Sequence, residues 1–442
     1  MTPPERTPLA ALRHRDFRIL WLGLLISTFG SQFTTIAMAW QIYELTNSPL
    51  QLGLLGLARG VPLLLLLLYG GVLADALDRR RLMMFMQVTQ FGVTAVMAVL
   101  TFSGSITPAA LYVGSVLLAV FAALEGPSRQ AIIPNLVPRA ELASAVALNS
   151  TQRQVATIAG PSIAGLVLAV AGAELCYAVD AASWLVMLVA LLLISGQTQE
   201  RVERRSFGLR SLGEGFSFVW ANPVILALMA LDLGQNLFGM PRALFPVYAK
   251  DILQVGPEGL GLMYAAASIG AIVVAVGMSF FGNVRRAGLV VLIGVAIHAI
   301  CIVLFAYSHV FWFSILILAG EGLGNAFSAI LRNTINQLLT PDALRGRVSS
   351  VNSMFTNTGP QLGQFRAGAV AELVGPEMSL FSGGLAILAL AGIVGAKRAV
   401  RAFELPSPER SPEGQAANGA PEVLRSGEKR HVRHAGADGS NR

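Results

Sequence analysis

Apolar stretches of membrane-spanning length are the feature of this sequence that most constrains its fold. A helix that crosses a bilayer needs about 20 mostly apolar residues, and twelve such stretches follow one another along the chain. They lie at 17–43, 50–74, 82–102, 108–128, 146–171 and 175–195, and then at 223–248, 259–281, 288–307, 310–333, 348–371 and 378–396. The sequence therefore predicts an all-α membrane protein with twelve transmembrane helices.

The composition excludes the competing classes. Only 13% of the 442 residues are charged, against about 25% in an ordinary soluble domain. A chain this apolar is not disordered throughout, and two cysteines are too few for a disulfide scaffold. Runs such as 61–73 do not alternate between apolar and polar residues, as strands of an outer-membrane barrel would.

The spans divide into two halves around a polar segment. The predicted organisation is a cytoplasmic segment at 1–16, six helices at 17–195, a linker with a short surface helix at 196–222, six helices at 223–396 and a disordered tail at 397–442. Asn222 and Pro223 are predicted to cap and begin the seventh span. The segment 133–142 aligns without a gap with 335–344, which indicates a duplication. Duplicated halves that rock about a central site are a transporter plan.

The arginines predict the orientation. Alternate loops carry nearly all the interior basic residues, whereas the other set of loops carries only Lys250. By the positive-inside rule both termini face the cytoplasm of a cell (inner or plasma) membrane, with the lipid bilayer as a partner. The net charge of +7 is dispersed among loops, so no nucleic acid partner is expected.

The loop after the second span carries a family signature. It reads Gly71-Val-Leu-Ala-Asp75-Ala-Leu-Asp78-Arg79-Arg80-Arg81. This loop resembles the signature of the major facilitator superfamily, and segments such as 126–130 and 344–348 are similar to its exporter branch of enterobactin exporters and macrolide-efflux-like proteins. The resemblance implies a twelve-helix fold that moves a small molecule. Ala76 stands where the signature has Arg or Lys, which removes one cation from the loop.

The resemblance assigns this loop to a cytoplasmic gate formed by Gly71, Asp75, Asp78, Arg79 and Arg80. Asp75 and Arg79 are four residues apart and can pair along a helix. In the family the aspartate faces the beginning of span eleven, and such contacts break when the cytoplasmic side opens. The alternative is that these charges only set the topology.

Span five carries a second motif of the resemblance, which is similar to the Gly-Pro motif of antiporters in the superfamily. Its residues are Gly160, Pro161 and Gly165. Small residues let helices approach closely and the proline bends the span. Ordinary helix packing without an antiport role is the alternative.

Three charges deep in spans are the candidates for coupling and binding. Arg59, Asp232 and Glu321 lie roughly 12–18 Å from the span ends at 1.5 Å per residue. Asp232 or Glu321 is predicted to carry protons, with Arg59 as counter-charge or substrate contact. A fixed interhelical ion pair is the alternative. Asp180 and Arg242 are expected to lie shallower, near span ends.

Polar residues in the spans are candidates for lining a cavity, and the alternative is that their helices protrude from the membrane. They are Gln32, Gln152, Gln235, Asn236, Asn325, Asn357 and Gln361. The sequence has no phosphate-binding loop and no metal-binding pattern of His and Cys, so no cofactor, metal or enzymatic activity is expected.

Together these features predict a monomeric secondary transporter that exports a small amphipathic molecule, such as a drug, a siderophore or another metabolite, by proton antiport with alternating access. An importer of a small nutrient, with or without proton coupling, is the first alternative. A membrane receptor or scaffold that does not transport is the second.

Overall fold

The computed structural model describes residues 9–76, 79–194, 209–280, 286–341 and 344–404 of the chain. Its helices are α1 (Arg15–Thr46), α2 (Pro49–Ala76), α3 (Arg79–Phe102), α4 (Pro108–Ile132), α5 (Leu142–Leu193), α6 (Leu209–Ala221), α7 (Pro223–Phe238), α8 (Phe245–Val247), α9 (Gly256–Phe280), α10 (Ala287–Ala306), α11 (Phe311–Leu339), α12 (Arg345–Val374), α13 (Pro376–Ala396) and α14 (Arg398–Arg401). Short 3₁₀ turns cover Ala10–Arg13, Ile133–Asn135, Arg139–Glu141 and Pro241–Leu244, and a π turn covers Tyr248–Ile252. Residues 196–208 of the predicted linker and residues 405–442 of the predicted tail lie outside the described residues.

The sequence sets several helix boundaries locally. The Asn222 side chain accepts hydrogen bonds from the backbone N–H groups of Val224 and Ile225 at 3.2 and 3.3 Å, immediately before Pro223. Thr107 caps α4 in the same way ahead of Pro108. A side-chain acceptor followed by proline satisfies the free N–H groups of a first turn, so the predicted start of the seventh span is confirmed.

Ten helical segments among the described residues are long and apolar enough to cross a membrane, against the twelve that the sequence predicts. Two features account for the difference. The predicted fifth and sixth spans form one segment, Arg139–Leu193, which is interrupted at Gly172, whose φ is 75°. We call the parts of α5 before and after Gly172 its first and second arms. The predicted eleventh span is α12. This helix has 30 residues, but its polar residues make it less apolar than the ten segments counted above.

The helices pack as two bundles. In the N-terminal part, α1 packs on α5, α2 on α4, and α3 on α4 and α5. In the C-terminal part, α10 packs on α11 and α13, α9 on α11, and α12 on α6, α7 and α13. Two helix pairs join the parts, α2 with α12 and α5 with α9.

Glycines permit close contact at both junctions. A Cβ atom added to Gly165 would lie 2.2 Å from the Cα of Gly261, and one added to Gly368 would lie 2.3 Å from the carbonyl oxygen of Pro49. Backbones at this distance leave no room for a side chain, so the two parts touch through glycine on each side of the molecule.

The two ends of the molecule differ in charge. We call the end at which α1 and α3 begin the arginine-rich end, after Arg80, Arg81, Arg129 and Arg139. The opposite end is the Asn47 end, where Asn47 ends α1 in a left-handed conformation with φ 48°. Each long helix extends from one of these ends to the other, and so does each arm of α5.

Candidate functional site

Arg59 lines two interior cavities formed by residues that the structure describes. The larger has a volume of about 330 Å³ and is formed mainly by α1, α2, α4 and the second arm of α5. The smaller, of about 170 Å³, lies between the two parts, with Gln32 and Pro161 on one side and Arg242 and Tyr264 on the other. The site is therefore centred on a cation from the N-terminal part.

Arg59 is held by neutral groups. Its Nε donates to Ser115 Oγ at 3.1 Å and its Nη1 to Thr35 Oγ1 at 3.4 Å, while its Nη2 lies 3.1 Å from Met38 Sδ. None of the ion pairs among the described residues includes it. A guanidinium this deep is costly without a partner, so it is suited to binding an acceptor group of a ligand.

Asp180 is a buried acid of the larger cavity, and the sequence places it too close to the membrane surface. The second arm of α5 begins just after Gly172, so Asp180 lies about 12 Å along the helix. Only 1% of its surface is exposed. Its Oδ2 accepts from Thr34 Oγ1 at 2.6 Å, and its Oδ1 lies 3.3 Å from Ser183 Oγ. Asp180 and Arg59 thus face one cavity without forming a described ion pair.

Asp232 has a cationic partner in the C-terminal part. Arg332 Nη2 donates to Asp232 Oδ1 at 2.7 Å, and the same guanidinium donates to Ser328 Oγ at 2.6 Å and to Gln235 Oε1. Arg332 is only 4% exposed. The pair joins α7 to α11 in the geometry of a fixed interhelical ion pair, which the sequence left open as the alternative to a proton carrier.

Glu321 pairs with a residue that the sequence did not single out. His298 Nδ1 on α10 lies 3.1 Å from Glu321 Oε1 on α11, and both side chains are almost completely buried. Glu321 Oε2 and both ring nitrogens of His298 have no hydrogen-bond partner in the described structure, so the contact is a close approach of the two groups and not an aligned hydrogen bond. The partners of the two predicted acids are thus Arg332 and His298 rather than Arg59. No spacing along the chain could have linked residues on separate helices.

The predicted gate lies largely outside what the structure describes. Asp78 is outside the described residues, and so are the side chains of Asp75 and Arg79; the backbones of Gly71, Asp75 and Arg79 belong to α2 and α3. Arg80 is described: its Nε donates to the carbonyl of Leu191 at 2.9 Å and its Nη2 to that of Leu192 at 3.2 Å. A cation at the C-terminus of α5 is favourable, and it joins α3 to α5 within the N-terminal part.

A set of polar contacts joins the two parts at the Asn47 end. Lys250 Nζ donates to Asn47 Oδ1 at 2.6 Å, and the Tyr43 hydroxyl donates to Asp251 Oδ2. Glu372 Oε2 accepts from Ser48 Oγ at 2.7 Å and from the Leu50 N–H at 3.1 Å. We call these contacts the Asn47-end latch. The sequence did not predict it, because its members come from three separate segments, 43–50, 250–251 and Glu372.

The predicted Gly-Pro motif reaches both the cavity and the junction. Pro161 lines the smaller cavity, and Gly165 meets Gly261 of α9 where the parts touch. Gly160 packs on Gln32 of α1, whose Cγ would lie 2.5 Å from an added Cβ. The motif therefore shapes a contact between the two parts, which agrees with a packing role and leaves an antiport role as a prediction.

Two of the predicted polar residues line these cavities, Gln361 the larger and Gln32 the smaller. The others have local contacts or lie elsewhere. Gln152 donates to Leu24 O and Thr28 Oγ1, Gln235 accepts from Arg332, Asn236 donates to Asp232 O, Asn357 donates to Ser353 O, and Asn325 lines neither cavity. Within the described ranges no group of three or more His, Cys, Asp or Glu side chains could hold a metal ion.

Comparison with known families decides what kind of protein this arrangement belongs to. The family model of transmembrane secretion effectors matches residues 6–418, which is nearly the whole chain. The chain belongs to this family. The predicted membership of the major facilitator superfamily, in a branch similar to enterobactin exporters, is confirmed.

Relatives of these secretion effectors support the same conclusion. The enterobactin exporter EntS of Shigella boydii serotype 18 (strain CDC 3083-94 / BS512) is 28% identical over 379 residues, which are 85% of this chain and 90% of that protein. A bacterial homologue of the human lysosomal transporter Spinster, solved in an inward-facing and unoccupied conformation, has a TM-score of 0.70 at 14% identity, and the match covers 90% of this chain and 99% of that one. The nucleoside transporter NupG has a TM-score of 0.68 at 14% identity, over 86% and 98% of the two chains. The chain is a multi-span secondary transporter and not an enzyme.

Proposed function

We propose that the chain is a proton-coupled exporter of a small amphipathic molecule that works by alternating access. The observation that carries the proposal is an asymmetry between the two ends. The larger cavity extends from Arg59 toward Arg129 at the arginine-rich end, whereas the latch joins the two parts at the Asn47 end. A site reached from one side while the other is closed is half of an alternating-access cycle.

The proposed architecture has twelve transmembrane helices in two six-helix halves. The two arms of α5 hold roughly 30 and 20 residues, and each is long enough to cross the hydrocarbon core. α12 is equally long, and its polar residue Gln361 lines the larger cavity. A polar span is tolerated where it lines a cavity instead of facing lipid. With these additions the spans number six before α6 and six after it.

The proposed orientation places the arginine-rich end in the cytoplasm of a cell membrane, with both termini on that side. The described arginines at this end include Arg80, Arg129 and Arg139, whereas Lys250 lies at the opposite end. The larger cavity then faces the cytoplasm, which is the state in which an exporter takes up its cargo. The protein is proposed to act as a monomer.

The proposed cargo is a drug, a siderophore or another metabolite. The relatives of known activity are named as enterobactin exporters, which makes enterobactin the first probe. The cavity pairs hydroxyl-bearing residues of α1 with apolar ones such as Leu118 and Ala122. An amphipathic molecule can bury apolar area there while Arg59 and the hydroxyl groups fix its orientation.

Proton coupling is proposed to depend on buried acids. Of the two predicted carriers, Glu321 keeps one oxygen without a hydrogen-bond partner, whereas Asp232 is held by Arg332. We therefore rank Glu321 ahead of Asp232. The Arg80 contacts to α5 support a role for the signature loop in stabilising the arginine-rich end.

Reconstitution in lipid vesicles tests the proposal. We expect enterobactin, or a lipophilic cationic dye as a second probe, to accumulate on the acidic side of an imposed pH gradient. Collapse of the gradient with an ionophore should stop accumulation. Movement of the probe at the same rate without a gradient would contradict proton coupling. If folded protein accumulates neither enterobactin nor the dye, export of siderophores and export of drugs are both contradicted.

A further inference from the structure

We propose that Asp180 is a proton-binding residue of the transport site and that it titrates within the larger cavity. Its place in the transport cycle rests on the proposed function, but proton binding itself does not.

The first step is the absence of a compensating cation in contact with Asp180. Among the described residues no Arg, Lys or His forms an ion pair with it, and 1% of its surface is exposed. A carboxylate buried in this way is unfavourable unless it is paired, strongly hydrogen-bonded or protonated. Its hydrogen bonds therefore decide which state is stable.

The second step is that the hydrogen bonds of Asp180 in the described structure come from hydroxyl groups, which suit either state of the carboxyl group. The indole N–H of Trp184, which can only donate, lines the same cavity but has no hydrogen-bond partner there. Thr34 is the closest donor at 2.6 Å. The Ser183 hydroxyl has one hydrogen, and it lies nearer the Asp180 carbonyl, at 2.7 Å, than the carboxylate, at 3.3 Å. A threonine hydroxyl can donate to a carboxylate or accept from a carboxylic acid. Asp180 can thus gain and lose a proton without moving its neighbours.

The third step is the set of charged and titratable groups that face Asp180. From α2 it faces Arg59 across the cavity, and from α4 the same cavity is lined by Glu125 and Arg129 nearer the arginine-rich end. On its own helix, Tyr177 lies one turn earlier and donates to Gln41 Oε1 at 2.8 Å. α1 contributes hydroxyl groups and no charge to the cavity lining. Two cations therefore line the cavity, and Arg59 is the one that faces Asp180, whereas Arg129 lies nearer the arginine-rich end.

The fourth step links the acid to the cation. Thr34 binds Asp180, and the next residue of α1, Thr35, accepts from Arg59 Nη1. Ionisation of Asp180 therefore changes the electrostatic field at the Arg59 guanidinium, which is connected to it through the hydrogen bonds of Thr34 and Thr35. A ligand that donates to Asp180 competes with the proton for the same oxygens, and such competition is the thermodynamic requirement for antiport.

Packing at this point leaves no room for adjustment. A Cβ added to Gly30 would lie 2.1 Å from Ser183 Oγ and 2.9 Å from Asp180 Oδ1. The Asp180 side chain is therefore packed tightly between α1 and the second arm of α5.

Infrared titration of the full-length protein in detergent tests the proposal without any cargo. The C=O stretching band of protonated carboxyl groups is followed from about pH 4 to 9. We expect a band that disappears as the pH rises and that is missing in Asp180→Asn but present in Glu125→Gln, the matched change of another cavity acid. An unchanged titration in folded Asp180→Asn would overturn the proposal.

Thr34→Val is the second variant, and it serves if Asp180→Asn fails to fold. It removes a hydroxyl that can bond both states but bonds the carboxylate more strongly, because a hydrogen bond to a charged group is the stronger kind, and it keeps the side-chain shape. We expect the band to persist to higher pH by about one unit. A titration identical to that of the unmodified chain would overturn the proposal. Absence of vesicle transport together with a normal Asp180 titration would instead count against the proposed function alone.

Discussion

The two parts of the molecule treat their buried charges differently. In the C-terminal part, Asp232 contacts Arg332 at 2.7 Å and Glu321 contacts His298 at 3.1 Å. In the N-terminal part, Asp180 and Arg59 line one cavity, and each is bound by neutral groups. The buried charges of the C-terminal part are therefore held against each other, whereas those of the N-terminal part are available to a ligand or a proton.

The chemistry of the partners explains why this difference matters. A guanidinium only donates, so Arg332 suits the ionised form of Asp232 alone. A hydroxyl donates or accepts, so Thr34 suits Asp180 in both states. A residue that exchanges protons during transport must be stable in both states. By this criterion Asp180 suits proton exchange better than Asp232, while Glu321, which contacts a histidine, stays the candidate of the C-terminal part.

Removal of a paired acid in the C-terminal part should have the largest effect, and the effect should be on stability. Asp232→Asn leaves Arg332 buried without its carboxylate, which typically destabilises a protein by about 3–5 kcal/mol. We expect a marked fall in the thermal unfolding midpoint in detergent. The double change Asp232→Asn with Arg332→Met should recover most of it.

The same variants test the function of the pair. Gradient-driven transport per folded molecule of the double variant should stay within about twofold of the unmodified chain, since roughly 0.4 kcal/mol separates rates that differ twofold. If this stable double variant loses the gradient dependence of transport, coupling depends on the Asp232–Arg332 pair of the C-terminal part. That result would contradict the role given to the N-terminal part.

Removal of the unpaired cation in the N-terminal part should affect binding and spare stability. Arg59→Gln deletes a charged donor from both cavities, and a hydrogen bond to a charged group is worth about 1.5–3 kcal/mol. Affinity for an acceptor-bearing probe should fall about 10- to 100-fold, measured as the concentration for half-maximal transport in vesicles.

The thermal unfolding midpoint of Arg59→Gln should not fall, because burying a charge without an ionic partner lowers stability and the substitution removes that cost. Arg59→Lys is the matched control and should keep part of the affinity. A strongly destabilised Arg59→Gln with unchanged affinity would mean that Arg59 is a structural residue.

The latch should give the smallest effect. Glu372→Ala removes two hydrogen bonds between the parts at the Asn47 end. Because the site is exposed, we expect a change of about 0.5–1 kcal/mol, or two- to fivefold in the ratio of open to closed conformations. Spin-label distances across this end measure the ratio. Glu377→Gln, at the start of α13, is the control and should leave it unchanged.

The sequence predicted the fold well because membrane spans are a composition signal that needs no knowledge of contacts. The number of spans is less evident from hydropathy in the structure, because the polar residues of α12, the predicted span 348–371, lower its hydropathy, and because one positive φ at Gly172 separates the predicted fifth and sixth spans without a loop. Depth was misjudged for Asp180 for that reason, since its span begins earlier than the apolar run suggests.

The partners of the buried charges could not be predicted. Asp232 and Arg332 are 100 residues apart and Tyr43 and Asp251 are 208 apart, and no pattern along a single chain relates them. Arg59 was found because a lone cation in an apolar run is conspicuous. His298 gives no comparable signal in the sequence, because a histidine in a membrane span need not carry a charge.

The most direct test of the account is the pH dependence of the conformational change itself. Spin labels at Leu45 and Glu258, both exposed near the Asn47 end, report opening of that end in a chain whose two cysteines are replaced by alanine. We expect the long-distance population to rise as the pH falls, because protonation removes the charge of Asp180 from the site. Asp180→Asn should hold this population at its low-pH level at every pH, whereas Glu321→Gln and the Asp232→Asn, Arg332→Met double variant should keep at least half of the pH response. A response in Asp180→Asn equal to that of the unmodified chain would contradict the account.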